Sequence, residues 1–259
     1  MDSKMYLETI LIKYSPRNLD SNLLDIFFLK QNLRDWASSC YNSILDSGSR
    51  AKGTAISIAS DVDFLVSLTS DCNVNTGGLK SIYDGLYNHL IERYSHVRKQ
   101  NVSFRIKIGS LEVDITPARK QAGSTNDHWL YVSKQNTWKQ TNINKHINDI
   151  SGSGRQNEIK LLKVWRELNG LEFPSIYLEY LVISCLSGKS KDPSRLGVNF
   201  LFLLKELGKD INNPLTSRIV DPANSNNILS DLLTETERKA IISKAKFSCA
   251  QQYWNKIVW

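Results

Sequence analysis

The sequence predicts an α+β fold, an N-terminal half of strands and helices followed by a helical C-terminal half, and three observations carry this. Asp61-Val-Asp-Phe-Leu-Val-Ser-Leu68 alternates into an apolar, β-branched run that reads as a buried strand. Val102 to Ile108 and Leu111 to Thr116 alternate on either side of Gly109-Ser110, a two-residue hairpin loop with glycine at its first central position. Beyond Ser151-Gly-Ser-Gly154 the chain reads as helix and loop throughout, which sets the expected domains at 1–150 and 151–259.

Taken in order, Leu23, Leu24, Ile26, Phe27, Leu33, Trp36 and Ile44 recur at helical steps, so Asp20 to Ser47 is expected to form one long helix, with Asp20 or Ser21 as its N-cap. It runs into Gly48-Ser49, and the Asp61 strand follows. Thr69 to Gly78, rich in Asn and Gly, is a loop. Leu79 to Tyr94 is helical in spacing. The hairpin then places Glu112 and Asp114 on one face of its second strand and Leu111, Val113 and Ile115 on the other. Trp129 to Val132 adds a strand. In the second half, Arg155 to Leu168 is amphipathic, with Lys160, Lys163 and Arg166 as its basic positions. Ser175 to Leu186, Phe200 to Leu207 and Thr234 to Trp254 are three more helices.

Composition sets broad limits. The chain has 259 residues, 41% of them hydrophobic, with mean hydropathy −0.32, which excludes disordered and fibrous classes. No apolar run is long enough to span a bilayer and the first residues lack a secretory leader pattern, so a cytoplasmic protein without membrane association is expected. Cys40, Cys72, Cys185 and Cys249 are widely spaced, with no CxxC pair and no histidine at ligand spacing, so no zinc site is expected. A formal charge of +7 suits a polyanionic ligand without identifying one.

The chemistry gathers on carboxylates. Asp61 and Asp63 are two apart and so share one face of a strand, while Asp114 stands on another strand. Such a cluster repels itself unless neutralised, and Mg²⁺ favours a few carboxylates completed by water and substrate phosphates. Two such ions can activate an attacking hydroxyl and stabilise a leaving pyrophosphate. Gly48-Ser49 lies twelve residues before Asp63's strand begins at Asp61. There a glycine permits close backbone approach to phosphate, the Ser hydroxyl and nearby N–H groups donate to its oxygens, and Lys52 adds charge. Alone, a Gly-Ser pair is a turn; the combination is informative.

Gly48-Ser49, Asp61-Val-Asp63 and Leu111-Glu-Val-Asp-Ile115 together resemble the active-site signature of polymerase-β-type nucleotidyltransferases. GSRAKGTAISIASDVDFLV is similar to the corresponding stretch of oligoadenylate synthases, bacterial CD-NTases and archaeal CCA-adding enzymes. Trp138-Lys-Gln-Thr-Asn142 with His146, EIKLLKVWREL, Phe173-Pro-Ser-Ile-Tyr-Leu-Glu-Tyr-Leu181 and Val220-Asp-Pro-Ala-Asn224 resemble, in order, blocks of the oligoadenylate synthase and CD-NTase group. The resemblance runs from about residue 20 to the C-terminus.

It implies a nucleotidyltransferase core, a mixed β-sheet flanked by helices with a long N-terminal spine helix, packed on a C-terminal helical bundle with the active site in the cleft between. Asp61 and Asp63 would hold two Mg²⁺ or Mn²⁺ ions. Asp114 would hold the catalytic one and help deprotonate the incoming hydroxyl. Gly48, Ser49, Lys52, Lys160, Lys163 and Ser175 would meet the donor triphosphate. Lys160 and Lys163 are three apart on one helix face, which also suits a solvated surface. Where relatives often carry a base-stacking Tyr, this chain has Ile176 and then Tyr177. Either Ile176 packs on the base without aromatic stacking or Tyr177 points into the helical core, and Tyr177's apolar neighbours Leu178 and Leu181 favour the core for it. His146 reads as locally hydrogen-bonded, and Asp221-Pro-Ala-Asn224 as a turn. The implied reaction moves NMP from an NTP, ATP or GTP foremost, to a ribose hydroxyl to make a cyclic or short linear messenger in bacterial antiphage signalling. RNA-end addition, modification of a protein or small molecule, and an inactive scaffold are the competing readings.

Overall fold

The computed structural model describes residues 3–59, 62–123 and 126–259, so Asp61 lies outside the described residues. The chain divides into two compact units, one of Arg17–Lys52 and Asp61–Ile147, the other of Met1–Pro16, Gly53–Ser60 and Asn148–Trp259. Helix α1 (Ser3–Lys13), for which the sequence suggested no element, belongs to the second unit.

The first unit is a mixed sheet with α2 and α4 on one face. In chain order it holds α2 (Leu23–Ala37), β1 (Tyr41–Ser47), the single turn α3 (Gly48–Ala51), β2 (Val62–Leu68), α4 (Gly78–Ile91), β3 (Val97–Lys99), β4 (Phe104–Ile108), β5 (Leu111–Lys120), β6 (His128–Val132), β7 (Thr137–Thr141) and most of α5 (Ile143–Ser151). Strand order is β1-β2-β5-β4-β3, with β6 and β7 continuing from the far end of β5. β2 and β5 run parallel and the other pairs antiparallel. Alternation assigns the faces: Val62, Phe64, Val66, Leu68, Phe104, Ile106, Val113 and Ile115 are buried with Leu29 and Leu33 of α2 and Ile82, Tyr83, Leu86 and Leu90 of α4. Each such side chain contributes about 1.5–3 kcal/mol on burial. Asp63 and Asp114, one residue out of phase, project from the opposite face.

The expected long helix over 20–47 is corrected: it ends at Ala37, and Tyr41–Ser47 is a strand. Ser38-Ser39-Cys40 are weak helix formers, Ser38 takes a φ of 47°, and the residues beyond gain a full ladder against β2. Cys40 at this break forms a disulfide with Cys72, a pairing that wide sequence spacing did not suggest. The hairpin turn behaves as expected, with Gly109 at a φ of 58°.

The second unit centres on α6 (Gln156–Leu168), whose Ile159, Leu161, Leu162, Val164 and Trp165 are all fully buried, so it is wrapped rather than amphipathic. Around it stand α1, α7 (Ser175–Cys185), α8 (Leu196–Leu207) and α9 (Glu235–Cys249). α9 starts with a Thr234/Glu237 capping box. The hydroxyls of Tyr6 and Tyr14 donate to the carbonyls of Val258 and Trp259, tying α1 to the end of the chain. The helix-and-loop expectation is corrected here by a small ladder, β8 (Val220–Asp221) with β9 (Asn224–Ile228). Asp221 turns the chain between them, its Oδ1 accepting from the Ala223 N–H at 2.9 Å. No described helix is long and apolar enough to cross a membrane.

His128 is buried in the first unit. Its Nδ1 donates to the Asn126 carbonyl at 2.9 Å and its Nε2 accepts from the Ser67 hydroxyl at 2.8 Å, which itself accepts from Asn42. Burial lowers its pKa, as it does for His89. With the folded value depressed, the unfolded chain takes up the proton first as pH falls below about 6.5. The neutral imidazole's contribution is therefore complete above that pH and lost below it. The urea midpoint should fall between pH 7.5 and 5.5, and fall less in His128→Gln; identical slopes would exclude His128 as a contributor.

Candidate active site

Register builds the site. Ser47 of β1 pairs with Asp63 of β2, Asp63 with Asp114 of β5, and Asp114 with Arg105 of β4. Paired residues share a face, so one row across four strands reads Ser47, Asp63, Asp114, Arg105. The parallel β2–β5 pair sets the two carboxylates side by side, and Asp61 precedes Asp63 by two residues in the chain.

Gly48 follows Ser47 directly. Its φ is 64°, and a Cβ there would lie 1.8 Å from Asp63 Oδ2. Glycine is required twice, by the left-handed backbone and by the close approach. Ser49 comes next, half-buried within α3. A cavity of about 390 Å³ opens here, lined by Ser47, Arg50 and Asp63 and by apolar Leu19, Leu23 and Ile26. Arg50 is a cation that the sequence reading missed. One Nη donates to the Arg17 carbonyl at 3.0 Å, its Nε is buried without a partner, and burial followed by Arg17's charge lowers its pKa against the pull of Asp63.

Asp114 is held tightly. Its Oδ1 accepts from Arg105 Nε at 2.8 Å and Gln100 Nε2 at 3.0 Å, and its Oδ2 from Arg105 Nη2 at 2.7 Å. Ser103 steadies Gln100, and Arg105 Nη1 also reaches Glu112 at 3.1 Å. A carboxylate oxygen accepts about two bonds, so Oδ2 keeps one lone pair. Arg105 was legible in principle: pairing outward from Gly109-Ser110 sets it opposite Asp114.

The described part of the donor set is two adjacent carboxylates in this row, hard oxygen ligands that fit Mg²⁺ or Mn²⁺. Among the described residues no three His, Cys, Asp or Glu side chains cluster as a metal site, and the third carboxylate of the set, Asp61, is not among them.

In the helical unit the residues expected at the triphosphate separate. Lys160 is half-buried on α6, its pKa lowered by burial. Ser175 begins α7 and its hydroxyl accepts from Arg166 at 2.9 Å. Ile176 is half-buried against the core. Lys163 is a correction: it is 2% exposed, and its Nζ donates to Glu179 Oε1 at 2.7 Å and Thr54 Oγ1 at 3.0 Å, so it is spent inside the protein. Tyr177 lies in the core, as its apolar neighbours Leu178 and Leu181 favoured, fully buried with its phenol pushed up to about 12 by burial and no surface to offer a base, so it is withdrawn as a nucleotide contact. In the sheet unit, Lys52 is largely buried, while His146 lies half-exposed on α5.

Fold and site define a nucleotidyltransferase. Residues 8–153 match the model of the Second Messenger Oligonucleotide or Dinucleotide Synthetase domain, and the chain belongs to that family. No curated protein sequence matches it. Among solved structures it is similar to Escherichia coli MS115-1 CdnC with ATP, at 22% identity and TM-score 0.72 over 96% of this chain and 90% of that one. It is similar to the Bradyrhizobium diazoefficiens CD-NTase CdnG in complex with GTP, at 12% identity and TM-score 0.75 over 98% and 94%. A third likeness is to the Elizabethkingia meningoseptica CdnE cyclic dinucleotide synthase, at 13% identity and TM-score 0.65 over all of both chains. These likenesses establish a shared fold, that of the CD-NTase group.

Gly48→Ala should displace the Asp63 carboxylate and remove activity, and should also lower the melting temperature, since both strain and clash arise. Full activity would mean that the turn relaxes freely. Lys163→Met should cost about 3–5 kcal/mol by removing the counter-charge of the buried Glu179 carboxylate, and the double variant with Glu179→Met should recover much of it. Equal denaturation midpoints for the single and double variants would refute this pairing.

Proposed function

We propose that the chain transfers a nucleoside monophosphate from an NTP to a ribose hydroxyl, releasing pyrophosphate, and so builds a cyclic or short linear oligonucleotide messenger for bacterial antiphage signalling. The observation that carries this reading is the row Ser47–Asp63–Asp114 with Gly48 pressed against Asp63: a phosphate-accessible turn beside paired carboxylates is what in-line phosphoryl chemistry needs. Family membership and relatives solved with ATP or GTP support nucleotides as substrates.

Gly48 and Ser49 present backbone N–H groups and a hydroxyl to the donor phosphates, and Lys160 and Ser175 are the helical-unit residues retained for that role. Ile176 is retained beside the donor base. Asp63 and Asp114, with Asp61, would hold two Mg²⁺ or Mn²⁺ ions. When bound, these neutralise the triphosphate and favour the alkoxide form of the attacking hydroxyl. Asp114, oriented by Arg105 and Gln100, presents Oδ2 toward that proton. Second-messenger synthesis is favoured over RNA-end addition or protein modification by the family match.

Labelled NTPs incubated with the protein and Mg²⁺ or Mn²⁺, then treated with phosphatase, test this. Phosphatase-resistant product is expected for a cyclic nucleotide. Label on tRNA or on a protein band would replace the proposal. Asp63→Asn and Asp114→Asn should each lose product by at least about 100-fold, the scale of a lost electrostatic element, Asp63→Asn with unchanged or higher melting temperature and Asp114→Asn with a lower one, since it breaks the two bonds from Arg105. Retained turnover in Asp63→Asn would sink the assignment.

A further inference from the structure

We infer that the Cys40–Cys72 disulfide is a thiol–disulfide exchange site that switches the enzyme: the oxidised pair holds β1 in the register that sets Ser47 opposite Asp63, and a small dithiol that reduces it releases that register. The effect on activity rests on the proposed function, whereas the effect on the strand does not.

Position comes first. The two cysteines bracket β1, the Gly48 turn and β2, so the bond closes a loop that contains Ser47, Gly48, Ser49 and Asp63. Cys40 stands directly before Tyr41, which pairs with Leu68, and Cys72 lies shortly beyond Leu68. The bond therefore ties β1 to β2 at the end away from the site, about 20 Å along the strand from Ser47. Within residues 70–77 Cys72 alone is buried, so the segment after β2 has no other apolar anchor.

β1 needs such a tie. It is an edge strand laddered to β2 alone, and none of its seven residues is fully buried. A strand without a buried face has a weakly specified register, and this ladder already shifts between Tyr41 and Ser43. A slip of one residue sets either Asp46, a like charge, or Gly48 opposite Asp63 in place of Ser47. Such a slip would dismantle the turn that Gly48 builds against Asp63.

The bond is also within reach of a reagent. A cavity of about 240 Å³ opens on it, lined by both cysteines with Trp36 and the polar Asn73 and Ser81. Cys40 is half-buried and Cys72 5% exposed, so an incoming thiolate meets Cys40 Sγ first. It forms a mixed disulfide with Cys40, the Cys40–Cys72 bond breaks, and the electron pair leaves on Cys72 Sγ, which takes a proton from water. The reagent's second thiol then displaces Cys40. The protein thus gains two thiols while the dithiol is oxidised to its own disulfide. Cys185 and Cys249 do not compete: both belong to the helical unit, and burial raises their thiols, Cys185 to about 12.

Three readouts on the same protein test this. Dithiothreitol without denaturant should raise the thiols that alkylate after unfolding from two to four. Amide exchange over Tyr41–Ser47 should then quicken by at least about tenfold while α6 stays unchanged. Product from NTPs should fall by at least about tenfold, the scale of a misplaced reacting group. Oxidised glutathione, once the dithiol is removed, should restore both. Cys40→Ser should match the reduced parent and ignore the reductant. A bond that yields only in denaturant, or β1 exchange that reduction leaves unchanged, overturns the inference, and so does full activity in the fully reduced protein. No product from the oxidised protein with ordinary NTPs overturns the transferase reading instead, since exchange still reports the strand.

Discussion

Two carboxylates side by side on adjacent parallel strands form a repulsive pair that the sheet must neutralise. At a strand spacing of about 4.8 Å and an effective dielectric near 20, that repulsion is about 3 kcal/mol. The strands cannot relieve it by moving apart, because β2 is laddered to β1 on its other side and β5 to β4. Arg105 supplies the counter-charge from the next strand, through two bonds to Asp114, and Gln100 adds a third. Divalent cations would take over much of that duty, so Arg105 is what lets the row exist before they arrive.

The same row explains the glycine. The turn at Gly48 lies beside the carboxylates, so near Asp63 that no Cβ fits. Immediately downstream the chain passes at Gly53 into the helical unit, where Thr54, Ala55 and Ile56 are buried and Lys163 and Glu179 seize Thr54. Burying a lysine and a glutamate together contributes little net stability compared with an apolar pair. What the trio does is fix one position of the chain five residues beyond Ser49, through bonds whose geometry an apolar contact would not specify.

Reading from sequence succeeded where one local rule sufficed. Alternation gave β2 and the hairpin, and the hairpin put Asp114 on the polar face. It failed where a distant partner decides. Ile44 fits a helical stripe through Leu33 and Trp36, yet Tyr41–Ser47 is drawn into a ladder with residues about twenty positions later. Lys163 and its neighbour Lys160 look alike on a helical wheel, but only Lys163 meets Glu179, sixteen residues on. Tyr177 was assignable to the core from its apolar neighbours, whereas the parallel pairing of Asp63 with Asp114 spans the whole of α4, β3 and β4 and leaves no local trace.

Along β4 and β5, apolar and charged residues alternate without a break: Phe104, Arg105, Ile106, Lys107, Ile108, then Leu111, Glu112, Val113, Asp114, Ile115. The apolar set fills the core beneath α2 and α4, and the charged set lies on the opposite face. Because the period is two, a slip of one residue in the pairing would present Asp114 to the core and Val113 to the site. The cost of burying that charge far exceeds any gain in packing. The tight turn at Gly109-Ser110 and the apolar face thus enforce one register between them, and the same register pairs Asp114 with Arg105 and Arg105 with Arg98. Core packing on one side of the sheet therefore fixes the order of charges on the other.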